Sequence, residues 1–288
     1  MTRILHLSDL HFGFHRAALV EPLLRRINTA QADLVVVTGD LTHRARPAQY
    51  RQAADFLRRI GPDWIAVPGN HDLPLFNLPG RIFRPYAGYR AAICRELAPM
   101  RRIGAVQVLG VNSADPLAIQ RGRLPRRMVD GLLARLAQAP VNIVALHHPL
   151  QHRPEVDKAL ARGAEQALAR LEGVGAQIVL SGHLHVWAAG AFLDPVAGRG
   201  ILQIQAGTAL CARPGDLRNE FCLLDIQGAE LTIERHVAPM DEPGFRPPEY
   251  LHFSRASGAW HPLGHSPDQE TEPIPTDPGA TETAFRTA

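Results

Sequence analysis

Short apolar runs suited to buried strands recur through the first two-thirds of the chain, and five of them end in clusters of Asp, Asn and His. Residues 3–8 run into Asp9-Leu10-His11, and residues 33–38 into Gly39-Asp40. Residues 64–67 lead through Pro68 to Gly69-Asn70-His71-Asp72. Residues 141–146 run into His147-His148-Pro149, and residues 176–181 into Gly182-His183-Leu184-His185. A further run spans 105–111. Segments of helical period lie between several of them. Leu19, Leu23, Leu24 and Ile27 make one apolar stripe, and Val129, Leu132, Leu133 and Leu136 another. Pro47 opens a helix running to about Ile60. Buried strands alternating with helices predict an α/β fold with parallel crossovers. In such folds the carboxyl ends of neighbouring strands share one edge of the sheet, where ligands bind. The five polar clusters are therefore expected at one place.

After residue 190 the helical period disappears. Residues 200–205, 221–226 and 230–237 read as strands and predict a second, more antiparallel sheet completing the same domain. The domain is expected to span residues 1–256. Residues 257–288, rich in Pro, Thr and acids, read as a disordered tail.

A chain of 288 residues can bury a full core without covalent staples. Cys94, Cys211 and Cys222 are scattered and form no C-x-x-C pair, which argues against a disulfide framework and against thiolate zinc chemistry. No apolar run reaches the length of a membrane span. His6, Ser8, Asp9 and His11 interrupt the first residues, so these do not read as a secretory leader, and a cytoplasmic protein is expected. The net charge of +3 is not concentrated in a basic stripe, so no stable nucleic-acid partner is expected. A homo-oligomer is compatible with all of this. The unusual feature is the histidine content, fourteen residues, of which several sit in the strand-end clusters.

Carboxylate and amide oxygens combined with neutral imidazoles suit Mn, Fe, Co or Zn. A lone zinc needs only three or four ligands. The candidates here are Asp9, His11, Asp40, Asn70, the His147-His148 pair, His183 and His185, enough for two metal ions roughly 3.5–4 Å apart. Two divalent ions, offset by two aspartates and a hydroxide, leave about one positive charge to receive an anionic phosphate.

In their order and context these blocks resemble the calcineurin-like metallophosphoesterase superfamily, whose pattern is D-x-H, G-D, G-N-H-[DE], H and G-H-x-H. The resemblance covers residues 4–186. It is greatest to the class III branch of cyclic-nucleotide and glycerophosphodiester phosphodiesterases. It implies a four-layer α/β/β/α sandwich of two mixed sheets flanked by helices, with the metal site at strand C-terminal ends. It further implies one metal on Asp9, His11 and His185 and a second on Asn70, His147 and His183, with Asp40 bridging. His147, two residues before the proline, takes the ligand position, and His148 becomes a neighbour or substrate contact. His71 is similar to the family's catalytic histidine, which contacts phosphate and protonates the leaving oxygen. Asp72 is expected to support the loop. One departure is His43, three residues after Asp40, where many relatives carry an acid or Asn that orients the catalytic histidine. Arg44 sits where protein phosphatases contact phosphate, or else is a surface arginine.

The activity so implied is hydrolysis of a small anionic phosphodiester, a cyclic nucleotide or a glycerophosphodiester, by a metal-bridging hydroxide. Residues 73–102 admit two readings. In one, Arg81, Arg84, Tyr86, Tyr89 and Arg90 overhang the site as a basic, aromatic lid. In the other, a helical excursion packs Phe83, Tyr86 and Ile93 inward with its arginines outward. The competing functions are a lipid-linked nucleotide pyrophosphate hydrolase, which needs an apolar groove beside the metals, and a DNA exonuclease, which needs a capping domain. A non-catalytic scaffold of the same fold predicts an eroded site, whereas every block is present.

Overall fold

Period-two alternation within strands that are apolar on both faces sorts their side chains into separate layers. The computed structural model describes residues 1–136, 139–151, 156, 158–173, 175–191, 200–255 and 258–263. The first half contains β1 (Thr2–Leu7), α1 (Val20–Thr29), β2 (Leu34–Thr38), α2 (Pro47–Arg58), β3 (Trp64–Val67) and two short helices, α3 (Leu78–Phe83) and α4 (Ala87–Ala92). Next come β4 (Met100–Ile103), β5 (Val106–Val111), α5 (Arg126–Arg135), β6 (Val141–Leu146), α6 (Ala164–Glu172) and β7 (Ile178–Ser181). Among the described residues, the regular elements that remain are strands: β8 (Ala188–Ala191), β9 (Leu202–Gln205), β10 (Arg218–Gln227), β11 (Glu230–Pro239), β12 (Glu249–Ser254) and β13 (His261–Pro262).

The strands form two mixed sheets, ordered β13-β12-β11-β10-β1-β2-β3 and β4-β5-β6-β7-β9-β8. Ile4, Leu34 and Val36 of the first sheet pack against Val108, Ile143, Ala145, Ile178 and Ile204 of the second. The intervening Leu5, Leu7, Val35 and Val37 point the other way, onto Leu23, Leu24 and Ile27 of α1 and Ala53, Phe56 and Leu57 of α2. Val144, Leu146 and Val179 likewise meet Val129 and Leu132 of α5 and Ala167, Leu168 and Leu171 of α6. Three apolar interfaces therefore separate four layers, α/β/β/α. Each fully buried Leu, Ile or Val in them contributes about 1.5–3 kcal/mol.

Two expectations are corrected. The C-terminal strands do not build a sheet of their own. β9 lies parallel to β7 in the second sheet, while β10 pairs antiparallel with β1 and carries β11 to β13 onto the first. Nor does the fold stop at residue 256. Trp260 is buried and donates its indole N–H to the Gln177 carbonyl, and β13 pairs with β12. The rest of the expected tail, residues 264–288, lies outside the described residues. Among the described residues, no helix is long and apolar enough to cross a membrane.

β1, β2 and β3 are parallel neighbours in one sheet, as are β6 and β7 in the other. Just before this shared end, His6 of β1 is fully buried, with Nε2 2.9 Å from Thr38 Oγ1. Burial pushes its pKa down to about 3, against a smaller opposing pull from Asp9. An unfolded chain takes up this proton near its ordinary pKa of about 6.5. The contribution to stability is therefore complete above that pH and is lost as pH falls toward 3. Between pH 6 and 4, urea-melt stability of His6→Leu should decline by about 1.4 kcal/mol per pH unit less than that of the parent chain. Identical slopes would contradict the assignment.

Candidate metal centre

The loops that follow these five strands bend sharply, and the polar side chains sit on the bends. Asp9, His11, Asp40, His183 and His185 have φ values of 54°, 47°, 50°, 72° and 60°, in the left-handed region where Asp and His are enriched among non-glycine residues. The glycines of the motifs allow the loops to touch. A Cβ on Gly69 would lie 2.1 Å from Asp40 Oδ1, and one on Gly182 would lie 1.8 Å from Ser8 Oγ.

Two donor groups result. In the first, Asp9 Oδ1 lies 3.2 Å from His185 Nε2 and 3.5 Å from His11 Nε2, and the two imidazole nitrogens are 3.1 Å apart. In the second, His147 Nε2 is 3.2 Å from Asn70 Oδ1, and the His183 ring stands edge-on to His147 with centroids 5.0 Å apart. Asp40 Oδ2 belongs to both, at 3.8 Å from His11 Nε2 and 3.2 Å from His147 Nε2.

The protein occupies the far atoms of four of these side chains. Ser8 Oγ and the His183 N–H donate to Asp9 Oδ2, and the His71 N–H donates to Asp40 Oδ1. His147 Nδ1–H donates to the Thr38 carbonyl, and His185 Nδ1 lies 3.0 Å from Asp216 Oδ2. Asp9 Oδ1 is left without a hydrogen bond. An orphaned carboxylate oxygen beside two facing imidazole nitrogens can be satisfied by a shared proton or by a cation, and the donor set is one that divalent ions take.

Electrostatics agree. Burial alone would raise both carboxyls, yet the surrounding imidazoles hold Asp9 and Asp40 well below the usual carboxylate range. Burial works against a proton on His147, but Asp40 and Asp9 outweigh it and raise the pKa to about 9. His185 is raised well above its ordinary value in the same way, by Asp9 and Asp216 against burial. Burial pushes His11 down to about 4 and holds His183 well below its ordinary value. Protons thus collect where a bound cation would displace them.

The remaining candidates take varied places. His71 Nδ1–H donates to the His43 carbonyl at 2.6 Å, so the backbone of residue 43, rather than its side chain, orients His71. The His43 ring stacks on His71 and accepts from Arg44 Nε, and the Arg44 guanidinium lies over the Phe76 ring. Asp72 accepts from the Gly69, Leu41 and Thr42 N–H groups and from Thr42 Oγ1, tying the second loop to the third. Burial, then Asp40, raises its pKa to about 7. His148 has a ring nitrogen within 4.8 Å of ligand nitrogens of His147 and His183, but both of its ring nitrogens are engaged, by Ser113 Oγ and the Gln120 carbonyl.

The lid reading of residues 73–102 does not hold, and the helical excursion holds in part. Tyr86 is half-buried and Ile93 packs on the core, but Arg81 and Phe83 take the sides opposite to those expected. Arg81 is buried, and its guanidinium donates to the carbonyls of Pro74, Pro116 and Ala118. The Tyr86 and Tyr89 hydroxyls donate to the Ala114 and Ala66 carbonyls, so neither ring overhangs the site. Arg84 and Arg90 are exposed, and Phe83, expected inside, is 82 % exposed. Loop carbonyls without secondary-structure partners draw the polar groups inward.

Several neighbours of the site lie outside the motifs. Asp216 braces His185, Thr208 Oγ1 donates to the Asp9 carbonyl, and Lys158, the only lysine, donates to the His183 carbonyl at 2.7 Å. Arg213 is close enough to Lys158 and His43 to disfavour their protonation. Cys211, which the absence of a C-x-x-C pair set apart from metal chemistry, lies with its sulfur within 4.8 Å of ligand nitrogens of His11 and His185.

Residues 2–187, which hold all five motifs, match the calcineurin-like phosphoesterase family. The chain belongs to that family. It is 31% identical over 160 residues to a probable cyclic nucleotide phosphodiesterase of Synechococcus sp., a match covering 53% of this chain and 58% of that protein. It is 28% identical over 203 residues to the 3',5'-cyclic adenosine monophosphate phosphodiesterase CpdA of Escherichia coli K12, covering 64% of this chain and 69% of CpdA. Purple acid phosphatase PPD1 from yellow lupin shares the fold, with a TM-score of 0.64 at 13% identity over 86% of this chain and 53% of that one.

For a calcineurin-like phosphoesterase, the carboxylate behind His185 has a measurable role. Asp216→Asn should weaken Mn(II) or Co(II) binding to the metal-stripped protein about 10–100-fold in calorimetric titration. Parental affinity would remove Asp216 from the site.

Proposed function

We propose that the protein is a metal-dependent phosphodiesterase. In this reading Asp9, His11 and His185 hold one ion, Asn70, His147 and His183 hold a second, and Asp40 is shared. The position of Asp40 Oδ2, between His11 Nε2 and His147 Nε2, carries the assignment. Two such ions (Mn, Fe, Zn or Co) would supply Lewis-acid polarisation of a phosphoryl oxygen and an activated water.

The chain's own groups do the rest. With Nδ1–H held by the His43 carbonyl, His71 exchanges protons only at Nε2, and it donates from there to the leaving oxygen. Asp72 keeps the His71 loop fastened to the Asp40 loop. Lys158, Arg213 and Arg44 surround the centre with positive charge that favours approach of an anion. The substrate is a small anionic phosphodiester, a class supported by relatives named as cyclic nucleotide phosphodiesterases. A scaffold role is disfavoured because His71 and all seven ligand positions are intact.

With Mn(II), the protein should cleave bis(p-nitrophenyl) phosphate faster than p-nitrophenyl phosphate, and EDTA should abolish both activities. A monoester rate equal to or above the diester rate overturns the reading. His71→Ala should lower kcat about 10²–10⁴-fold while metal content, read by mass spectrometry, stays at the parental level.

A further inference from the structure

Beside the metal centre the usual sorting of side chains is reversed. Arg81 is buried, while Phe76, Leu78, Ile82, Phe83, Leu117 and Ile119 are 57–82 % exposed. Single exposed apolar residues are ordinary, but six on two abutting loops call for an occupant. The two segments, residues 73–84 and 114–120, are fastened together by the Arg81 bonds to the Pro116 and Ala118 carbonyls and by Tyr86 on the Ala114 carbonyl, while a third Arg81 bond, to the Pro74 carbonyl, closes the first segment on itself. The exposed face is therefore held in place by buried polar bonds.

This rim adjoins the ligand side chains. The Ile119 carbonyl accepts from Nδ2 of Asn70. At its other end, Phe76 lies 5.3 Å beneath the Arg44 guanidinium, which is bonded to His43, whose ring stacks on His71. Exposed Arg84 ends α3 within the same excursion. Exposed apolar side chains edged with arginine, on segments bonded to a centre suited to phosphate, are complementary to an anion that carries a hydrocarbon portion. Four of the six residues are aliphatic, which suits a flexible chain better than a nucleobase with its demand for hydrogen bonds.

We propose that the rim binds a hydrocarbon chain attached to the phosphodiester, so that the preferred substrate is an amphiphilic diester with an alkyl or acyl arm. This rests on the phosphodiesterase reading above. It selects the glycerophosphodiester type, with its chain retained, over the cyclic nucleotide. Burial of one CH₂ is worth about fourfold in affinity when complete, so partial burial of several is readily measured.

The test uses p-nitrophenyl methyl, butyl and octyl phosphates, kept below micelle formation, with the full-length metal-loaded protein. The expected result is a rise of at least tenfold in kcat/KM from methyl to octyl, carried by KM. The double variant Phe83→Ser/Leu117→Ser should remove most of that rise. Tyr250→Ser, at an exposed residue of β12, should retain it. In calorimetric titration, octyl methylphosphonate should bind at least tenfold more tightly than methyl methylphosphonate, and the double variant should reduce the ratio. Cleavage independent of chain length overturns the rim assignment and leaves the phosphodiesterase reading standing. If sedimentation shows a dimer that the double variant dissociates, with no chain-length dependence, the rim is an interface between copies and the proposal fails. If no ester is cleaved, the phosphodiesterase reading fails, and the phosphonate titration still decides whether the rim takes a chain.

Discussion

Asp9 and Asp40 are buried side by side at one end of the sandwich, and among the described residues no guanidinium or ammonium bonds to either. Removing a carboxylate from water costs several kcal/mol unless positive charge accompanies it. Among the described residues, the groups that pair directly with these carboxylates are imidazoles, with Lys158 acting on both from farther away. This accounts for the proton held on His147 up to about pH 9 and for the raised pKa of His185. It also accounts for the orientation of the histidines. Nδ1 of His147 and of His185 faces an acceptor in the protein, which leaves Nε2 to face the carboxylates.

Between the two sheets the apolar contacts run through Ile4, Val36, Ile143 and Ile178. At the site, His147 reaches across to the Thr38 carbonyl, the His183 N–H reaches Asp9, and Thr208 reaches the Asp9 backbone. The centre therefore also ties the sheets together.

Most of this was legible because two local signals coincide. Apolar runs such as 141–146 mark strands buried on both faces, and the residues just after them are the ones a parallel sheet gathers. Where only one signal exists, legibility fails. Asp216 and Arg213 lie in a loop with no strand-end context, so nothing local distinguishes them from surface charges. The partners of β10 and β9 depend on pairing with β1 and β7, hundreds or tens of residues away, which alternation within the strand does not encode. The helices α3 and α4 have six residues each, too few for a periodic stripe, and their faces were assigned from residue type. That assumption put arginine outside and phenylalanine inside, the reverse of what Arg81 and Phe83 do.

Five of the proposed ligand positions lie on backbone that turns to the left. Few side chains accept that conformation cheaply, and Asp, Asn and His are prominent among those that do. The same three also present hard or borderline donor atoms. On the proposed metal reading, the alphabet available at these positions is narrowed twice, once by the turn and once by the ion. An engineer seeking to separate the two demands has one clean exchange. Asn in place of Asp keeps the backbone preference and the shape while deleting the charge, whereas a β-branched residue would disturb the loop and the ligand together.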